Sequence, residues 1–199
     1  MALCSRFEAK QHQDAGYLGA YLGDGFSPEL MLQVAQDLQQ AMPTIIGGTE
    51  LYDMWAYKHR SSYGGVKVHA DPSNVTMSFW TTPDSANLGG PAGGGLGVYK
   101  ARYPIGWAWE KHNSMIRFKD EVNSIIEADG RDAEIIGYRY NRLVIFPSDV
   151  FHYSDEFDFA EGFENRRINL TYLWGKSETD TGAPDARSCD VLDHNCARK

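Results

Sequence analysis

This chain of 199 residues has little that would staple or tether it. Cysteine is scarce: the three present, Cys4, Cys189 and Cys196, lie near the two ends and frame no disulfide scaffold. They read as free thiols, with a Cys189–Cys196 pair as the alternative. Long hydrophobic runs are missing too, since nowhere do about 18 consecutive apolar residues occur, the length a membrane-spanning helix needs. Met1 to Lys10 carries charges early and holds no apolar stretch of signal-peptide length, so a soluble, cytoplasmic protein is expected. Positive charge is in deficit, with 19 Lys and Arg against 27 Asp and Glu and a net charge of -8. That balance opposes the electrostatic grip on a phosphate backbone, and neither nucleic acid nor membrane is expected as a partner. No repeat of fixed period and no low-complexity domain is present.

What the chain does have is 13% aromatic residues and 20 glycines, a mixture suited to short strands and tight turns. Its length suits one domain with a sizeable core. Ser27-Pro28-Glu29 carries the marks of a helix start, and Leu30, Met31, Val34, Leu38 and Met42 line one helical face up to Pro43. From Leu51 the pattern changes to β-prone runs at Leu51–Lys58, Val66–His69, Asn74–Thr81, Gly95–Lys100, Ile135–Tyr140, Leu143–Phe146 and Arg167–Trp174. Turn-rich segments at 61–65 and 89–94 separate them, as in a β-sandwich or jelly roll. One insertion, Trp107–Ala128, has Met115, Ile116, Val122, Ile125 and Ile126 near helical spacing and stops at Asp129-Gly130. We expect one domain over 1–176 with an N-terminal helical segment, then a polar tail over 177–199, where His194 reads as a solvated surface residue.

Three segments carry chemistry. In Val68-His69-Ala70-Asp71 the histidine and the carboxylate are two positions apart, so an extended strand presents both on one face, where they can chelate one ion. The plain alternative is an exposed histidine followed by Asp-Pro, a turn-forming pair. In Asn141–His152 an apolar strand is followed by a turn that ends on His152, which is either a third ligand or a buried, hydrogen-bonded histidine. Two imidazoles and one carboxylate on one face of a metal leave three coordination positions open, enough for a co-substrate and O2. The third segment, Glu164–Trp174, puts Arg166, Ile168, Leu170, Tyr172 and Trp174 on one strand face and Arg167, Asn169, Thr171 and Leu173 on the other. An inward Arg167 needs a carboxylate partner, and a bound dicarboxylate supplies one through bidentate pairing.

With H69-A-D71, His152 and Arg167 fifteen residues later, the chain resembles the Fe(II)- and 2-oxoglutarate-dependent dioxygenases, in particular the prolyl-4-hydroxylase-like branch. The resemblance runs from about Tyr52 to Trp174 and includes HADPSNVTMSFWTTPD, NRLVIFPSDVFH and ENRRINLTY. It implies a mainly β fold with flanking helices around a double-stranded β-helix, the jelly-roll or cupin-like core. It implies His69, Asp71 and His152 as iron ligands and Arg167 as the partner of the distal carboxylate of 2-oxoglutarate, with O2 as second co-substrate and no catalytic residue beyond the ligands. Tyr57 is similar in placement to a tyrosine that contacts the same carboxylate, or it is a core aromatic; Thr171 could assist, and Ser78 is a rival. The chain departs from the family where serine or threonine often follows the arginine by two positions, since Asn169 stands there.

The implied reaction is hydroxylation of a C–H bond with release of succinate and CO2. Asp71 leaves no vacant position for chloride, as related halogenases need. A peptide or protein side chain is the first substrate class, an amino acid or other small molecule the second. A non-catalytic jelly-roll module that holds a metal or ligand is the competing class. The loops 57–67 and 87–95 and the Trp107–Trp109 segment are expected to rim the mouth, offering Lys58, His59, Arg60 and Arg102 to a substrate. The tryptophans have a second reading, packing the inserted helix onto the barrel.

Overall fold

Strands rich in β-branched and aromatic residues cannot bury both faces alone, and here they do so by stacking two antiparallel sheets. The computed structural model describes residues 10–12, 16–91, 93–113 and 115–176. Cys4, Cys189, Cys196, His194 and the 177–199 tail lie outside the described residues. In chain order the elements are β1 (Lys10–His12), β2 (Tyr17–Tyr21), α1 (Glu29–Ala41), β3 (Leu51–His59), β4 (Ser62–Tyr63), β5 (Ser73–Trp80) and β6 (Leu96–Arg102). There follow α2 (Trp109–Asn113), α3 (Met115–Ala128), β7 (Ala133–Ile136), β8 (Arg142–Pro147), β9 (Val150–Ser154), β10 (Phe157–Asp158) and β11 (Ile168–Lys176).

The larger sheet has the order β1-β2-β3-β11-β5-β8; the smaller has β7-β6-β9, and β10 pairs with β4. Every pairing is antiparallel. Only β1–β2, β2–β3 and β6–β7 pair consecutive strands, and β11 returns to lie between β3 and β5, as a jelly roll requires. One face of the large sheet is sealed by α1. Met31 and Ala35 of the helix pack with Ile46, Met54, Met77, Tyr172 and Trp174. Met54, Met77 and Tyr172 are fully buried, each contributing about 1.5–3 kcal/mol of apolar burial. The opposite face looks into the barrel, where Trp80, Leu96, Tyr138, Phe146, Val150, Phe157 and Phe159 form the inner core.

Several boundaries differ from expectation for local reasons. Helix α1 starts one residue later than its capping signal suggests, with Pro28 as the flanking residue and no side-chain cap. Val66–His69 makes no full strand, although it bonds β9 through Ser154 N to Val66 O and through the reciprocal His69–His152 pair. The Ile135–Tyr140 run shifts to Ala133–Ile136, because the chain must turn into β8, with Asn141 in the left-handed region (φ 59°) that asparagine tolerates. His152 sits inside β9 and not at the end of a turn: Ser148-Asp149 alone makes the reversal, and Val150 to Ser154 is already strand. Strand β2 and the aromatic pair at its ends, Tyr17 and Tyr21, were not anticipated. No helix among the described residues is long and apolar enough to cross a membrane.

Candidate functional site

His69 is held beside β9 by two backbone hydrogen bonds with His152, His69 N to His152 O at 2.9 Å and His152 N to His69 O at 2.8 Å. That pairing brings the imidazoles together, ring centroids 4.3 Å apart. The chain then turns before β5, so Asp71 swings under both rings. His69 Nε2 lies 3.9 Å from Asp71 Oδ1, and His152 Nε2 lies 3.4 Å from Asp71 Oδ2. Ligand atoms of all three residues fall within 4.8 Å of one another, and this is the one such group among the described residues.

Tautomers are set by the backbone. His69 Nδ1 is 2.7 Å from Lys67 O and His152 Nδ1 is 3.1 Å from Val150 O. A carbonyl can only accept, so each Nδ1 carries the proton and each Nε2 presents a lone pair toward Asp71. Burial, followed by the neighbouring His69, pulls the His152 pKa down to about 4, against the opposing pull of Asp71. At neutral pH that ring is uncharged, with a lone pair on Nε2.

The carboxylate is braced by hydroxyls. Thr76 Oγ1 donates to Asp71 Oδ2 at 2.8 Å; Ser148 Oγ lies 2.8 Å from Thr76 Oγ1, and Ser73 Oγ lies 2.6 Å from Ser148 Oγ. Because the carboxylate can only accept, Thr76 must donate to it, which makes Ser148 donate to Thr76 and Ser73 to Ser148. Three hydroxyl dipoles therefore point toward the charge. Asp71 N also donates to Ser148 O at 3.0 Å.

Arg167, one residue before β11, is 1% exposed. Its Nε donates to Gly94 O at 2.8 Å, whereas Nη1 and Nη2 are buried with no partner. No carboxylate pairs with it among the described residues. Its guanidinium lies against the inner core, 5.2 Å from the Phe157 ring and 5.9 Å from those of Trp80 and Tyr138. The same core carries Phe146, whose ring touches His152 at 4.8 Å, so the histidine–carboxylate group and the guanidinium abut one apolar interior. Burial holds the Arg167 pKa down to about 10, still charged at neutral pH.

The remaining expected contacts are placed differently from one another. Ser78 and Thr171 face each other across β5 and β11, and Asn169 ties them: Ser78 Oγ donates to Asn169 Oδ1 at 2.6 Å, and Asn169 Nδ2 to Thr171 Oγ1 at 2.9 Å. Tyr57 lies in an aromatic row, with Tyr17, Tyr21 and Trp55 at 4.5, 5.8 and 6.0 Å. His59, expected at the rim, is 1% exposed against Phe157 and Tyr57. Burial first, and Arg167 second, hold its pKa well below the ordinary histidine value. Its place in β3 follows the alternation Asp53, Trp55, Tyr57, His59 on one face, a signal present in the sequence. Lys58 covers the ring of Phe163, and Arg102 pairs with Asp149 at 2.5 Å.

No family model and no curated protein matches the chain. Solved structures do. HygX from Streptomyces hygroscopicus, with nickel and 2-oxoglutarate bound, matches over 88% of this chain and 76% of its own, at a TM-score of 0.51 and 11% identity. A Pseudomonas putida prolyl-4-hydroxylase matches over 85% and 78%, at 0.50 and 14% identity. SnoN, the non-heme alpha ketoglutarate dependent epimerase from nogalamycin biosynthesis, matches over 92% and 78%, at 0.54 and 11% identity. At such identities the likeness is one of fold, the mainly β jelly-roll core.

Proposed function

We propose that this chain is an Fe(II)- and 2-oxoglutarate-dependent dioxygenase that hydroxylates a C–H bond. The observation that carries the reading is Arg167: a buried guanidinium with both terminal nitrogens unpartnered, on the same interior as two imidazoles and a braced carboxylate. A buried cation of that kind is costly unless a ligand pairs with it, and a dicarboxylate that also reaches a metal meets both needs.

His69, Asp71 and His152 would hold the metal through two Nε2 atoms and a carboxylate oxygen, a donor set suited to Fe(II) with three positions left for co-substrate and O2. When bound, the metal and 2-oxoglutarate would supply the oxidative chemistry, one atom of O2 going to the substrate C–H bond and one to succinate, with release of CO2. The protein's own part is positional. Thr76, Ser148 and Ser73 keep Asp71 oriented; Arg167 would fix the far carboxylate and so the reacting end. Phe146, Phe157 and Trp80 keep water from the interior. Asp71 occupies the position that chloride would need, which favours hydroxylation.

For the substrate we put a peptide or protein side chain first, supported by the likeness to the prolyl-4-hydroxylase. A small molecule is the second reading, favoured by the likeness to HygX, also solved with hygromycin B bound. A succinate-release assay over peptide pools and metabolite mixtures, followed by mass spectrometry for a gain of one oxygen, separates the two. With metal bound, absence of 2-oxoglutarate turnover under every condition would favour a non-catalytic jelly-roll module.

A further inference from the structure

The Trp107–Trp109 segment was expected to rim the mouth; in the stretch between β6 and α3 that contains it, Tyr103, His112 and Asn113 are buried. Ala70, the residue between the two ligands of the H-x-D turn, is 0% exposed, and both polar groups of its backbone are taken by α2. Ala70 N donates to His112 O at 2.9 Å; His112 Nδ1 lies 2.9 Å from Ala70 O, and Asn113 Nδ2 donates to that oxygen at 3.3 Å. Since a carbonyl only accepts, His112 Nδ1 is the donor. His112 is 1% exposed and lies flat on Tyr103, centroids 4.1 Å apart with 8° between the planes.

Tyr103 in turn reaches the other half of the ligand set. Its N donates to Asp149 O at 3.1 Å, in the turn that leads into β9 and His152, and Arg102 pairs with the Asp149 carboxylate. The segment 102–113 thus spans from the H-x-D turn to the β8–β9 turn. We infer that His112, stacked on Tyr103 and bonded to Ala70, is a positioning residue that holds the H-x-D turn in register with the β8–β9 turn, so that the three ligands keep one metal geometry.

This inference rests on the metal reading above. Its consequence is that His112 governs metal affinity and ligand field without touching the metal. His112→Phe keeps an aromatic ring against Tyr103 but removes the donor, His112→Asn restores a donor amide without the ring, and Asn113→Ala removes the weaker bond. The probe is Co(II) alone, titrated anaerobically into full-length protein and followed by its d–d absorption.

The expected result is a loss of Co(II) affinity of about 10–100-fold in His112→Phe, the range for lost outer partners of a metal site, with altered d–d band intensity. His112→Asn, which regains the donor but not the stack, should recover part of that affinity, and Asn113→Ala should lose about fivefold, one hydrogen bond's worth. His69→Ala is the control that must abolish binding. If wild type binds Co(II) and loses it in His69→Ala, but folded His112→Phe and Asn113→Ala bind with unchanged affinity and spectrum, the positioning role is overturned while the metal reading stands. If wild type binds no Co(II), the metal reading falls and the inference with it.

Discussion

Replacing Arg167 by methionine should cost the ligand-free protein little stability and the co-substrate complex nearly everything. Burial lowers the Arg167 pKa from its ordinary value to about 10, which corresponds to a penalty on the charged form of about 3 kcal/mol. Against that stands one charge-assisted bond, Nε to Gly94 O, of about 1.5–3 kcal/mol. The two nearly cancel, so Arg167→Met should unfold in urea within about 2 kcal/mol of wild type; a buried charge that had a partner would give a loss of about 3–5 kcal/mol. With metal and 2-oxoglutarate at about 100 times the dissociation constant, wild type should gain about 2.7 kcal/mol, and the variant none. Paired urea titrations with and without 2-oxoglutarate read both quantities. A ligand-free loss above about 3 kcal/mol, or a variant that 2-oxoglutarate still stabilises, would refute the assignment of this guanidinium to a ligand carboxylate.

Other perturbations reach the same site by different routes. Thr76→Val preserves shape but removes the donor to Asp71 Oδ2, and metal affinity measured by isothermal titration should fall about 10–100-fold; an unchanged affinity would mean that the hydroxyl chain plays no part in holding the carboxylate. In EDTA, stability should fall as pH drops from about 6.5 to about 4, because the unfolded chain binds protons that buried His152 and His59 refuse. The His152 share is about 3 kcal/mol, fully present above pH 6.5, and His59→Phe should make the fall shallower; urea midpoints that stay flat across this window would contradict it. Gly65→Ala combines φ +76° with a Cβ that meets Ser154 O, so it should destabilise by about 1–3 kcal/mol and weaken metal binding, since Gly65 leads into the His69 segment; a neutral effect would show that this segment moves freely from β9.

How much of this could be read from the chain depends on where the information lies. The four central strands announce themselves through local alternation: Tyr172 and Trp174 against α1, Thr171 and Leu173 toward the interior. Their neighbours do not, because placing β11 between β3 and β5 is a long-range outcome that no single segment encodes. His69, Asp71, His152 and Arg167 were legible as residue types at suggestive spacing. The brace from Tyr103 through His112 and Asn113 was not, since nothing local distinguishes His112 from any helix histidine until Ala70 is folded against it. His59 was misread for the opposite reason: next to Lys58 and Arg60 it looked like part of a basic rim, while strand alternation turns it alone inward beside Arg167. Asp149 hid β9 in the same way, because Pro147-Ser148-Asp149 looks like a longer turn than the reversal it makes.

The central claim is that one metal, held by His69, Asp71 and His152, and one dicarboxylate, held by Arg167, share this interior. Anaerobic titration of Fe(II) and then 2-oxoglutarate, watched for the weak visible metal-to-ligand charge-transfer band, tests it most directly. The account predicts a saturable band in wild type that is lost in His69→Ala and Asp71→Ala and needs far more 2-oxoglutarate in Arg167→Met. Stoichiometric Fe(II) in the protein with no band at saturating 2-oxoglutarate would contradict it.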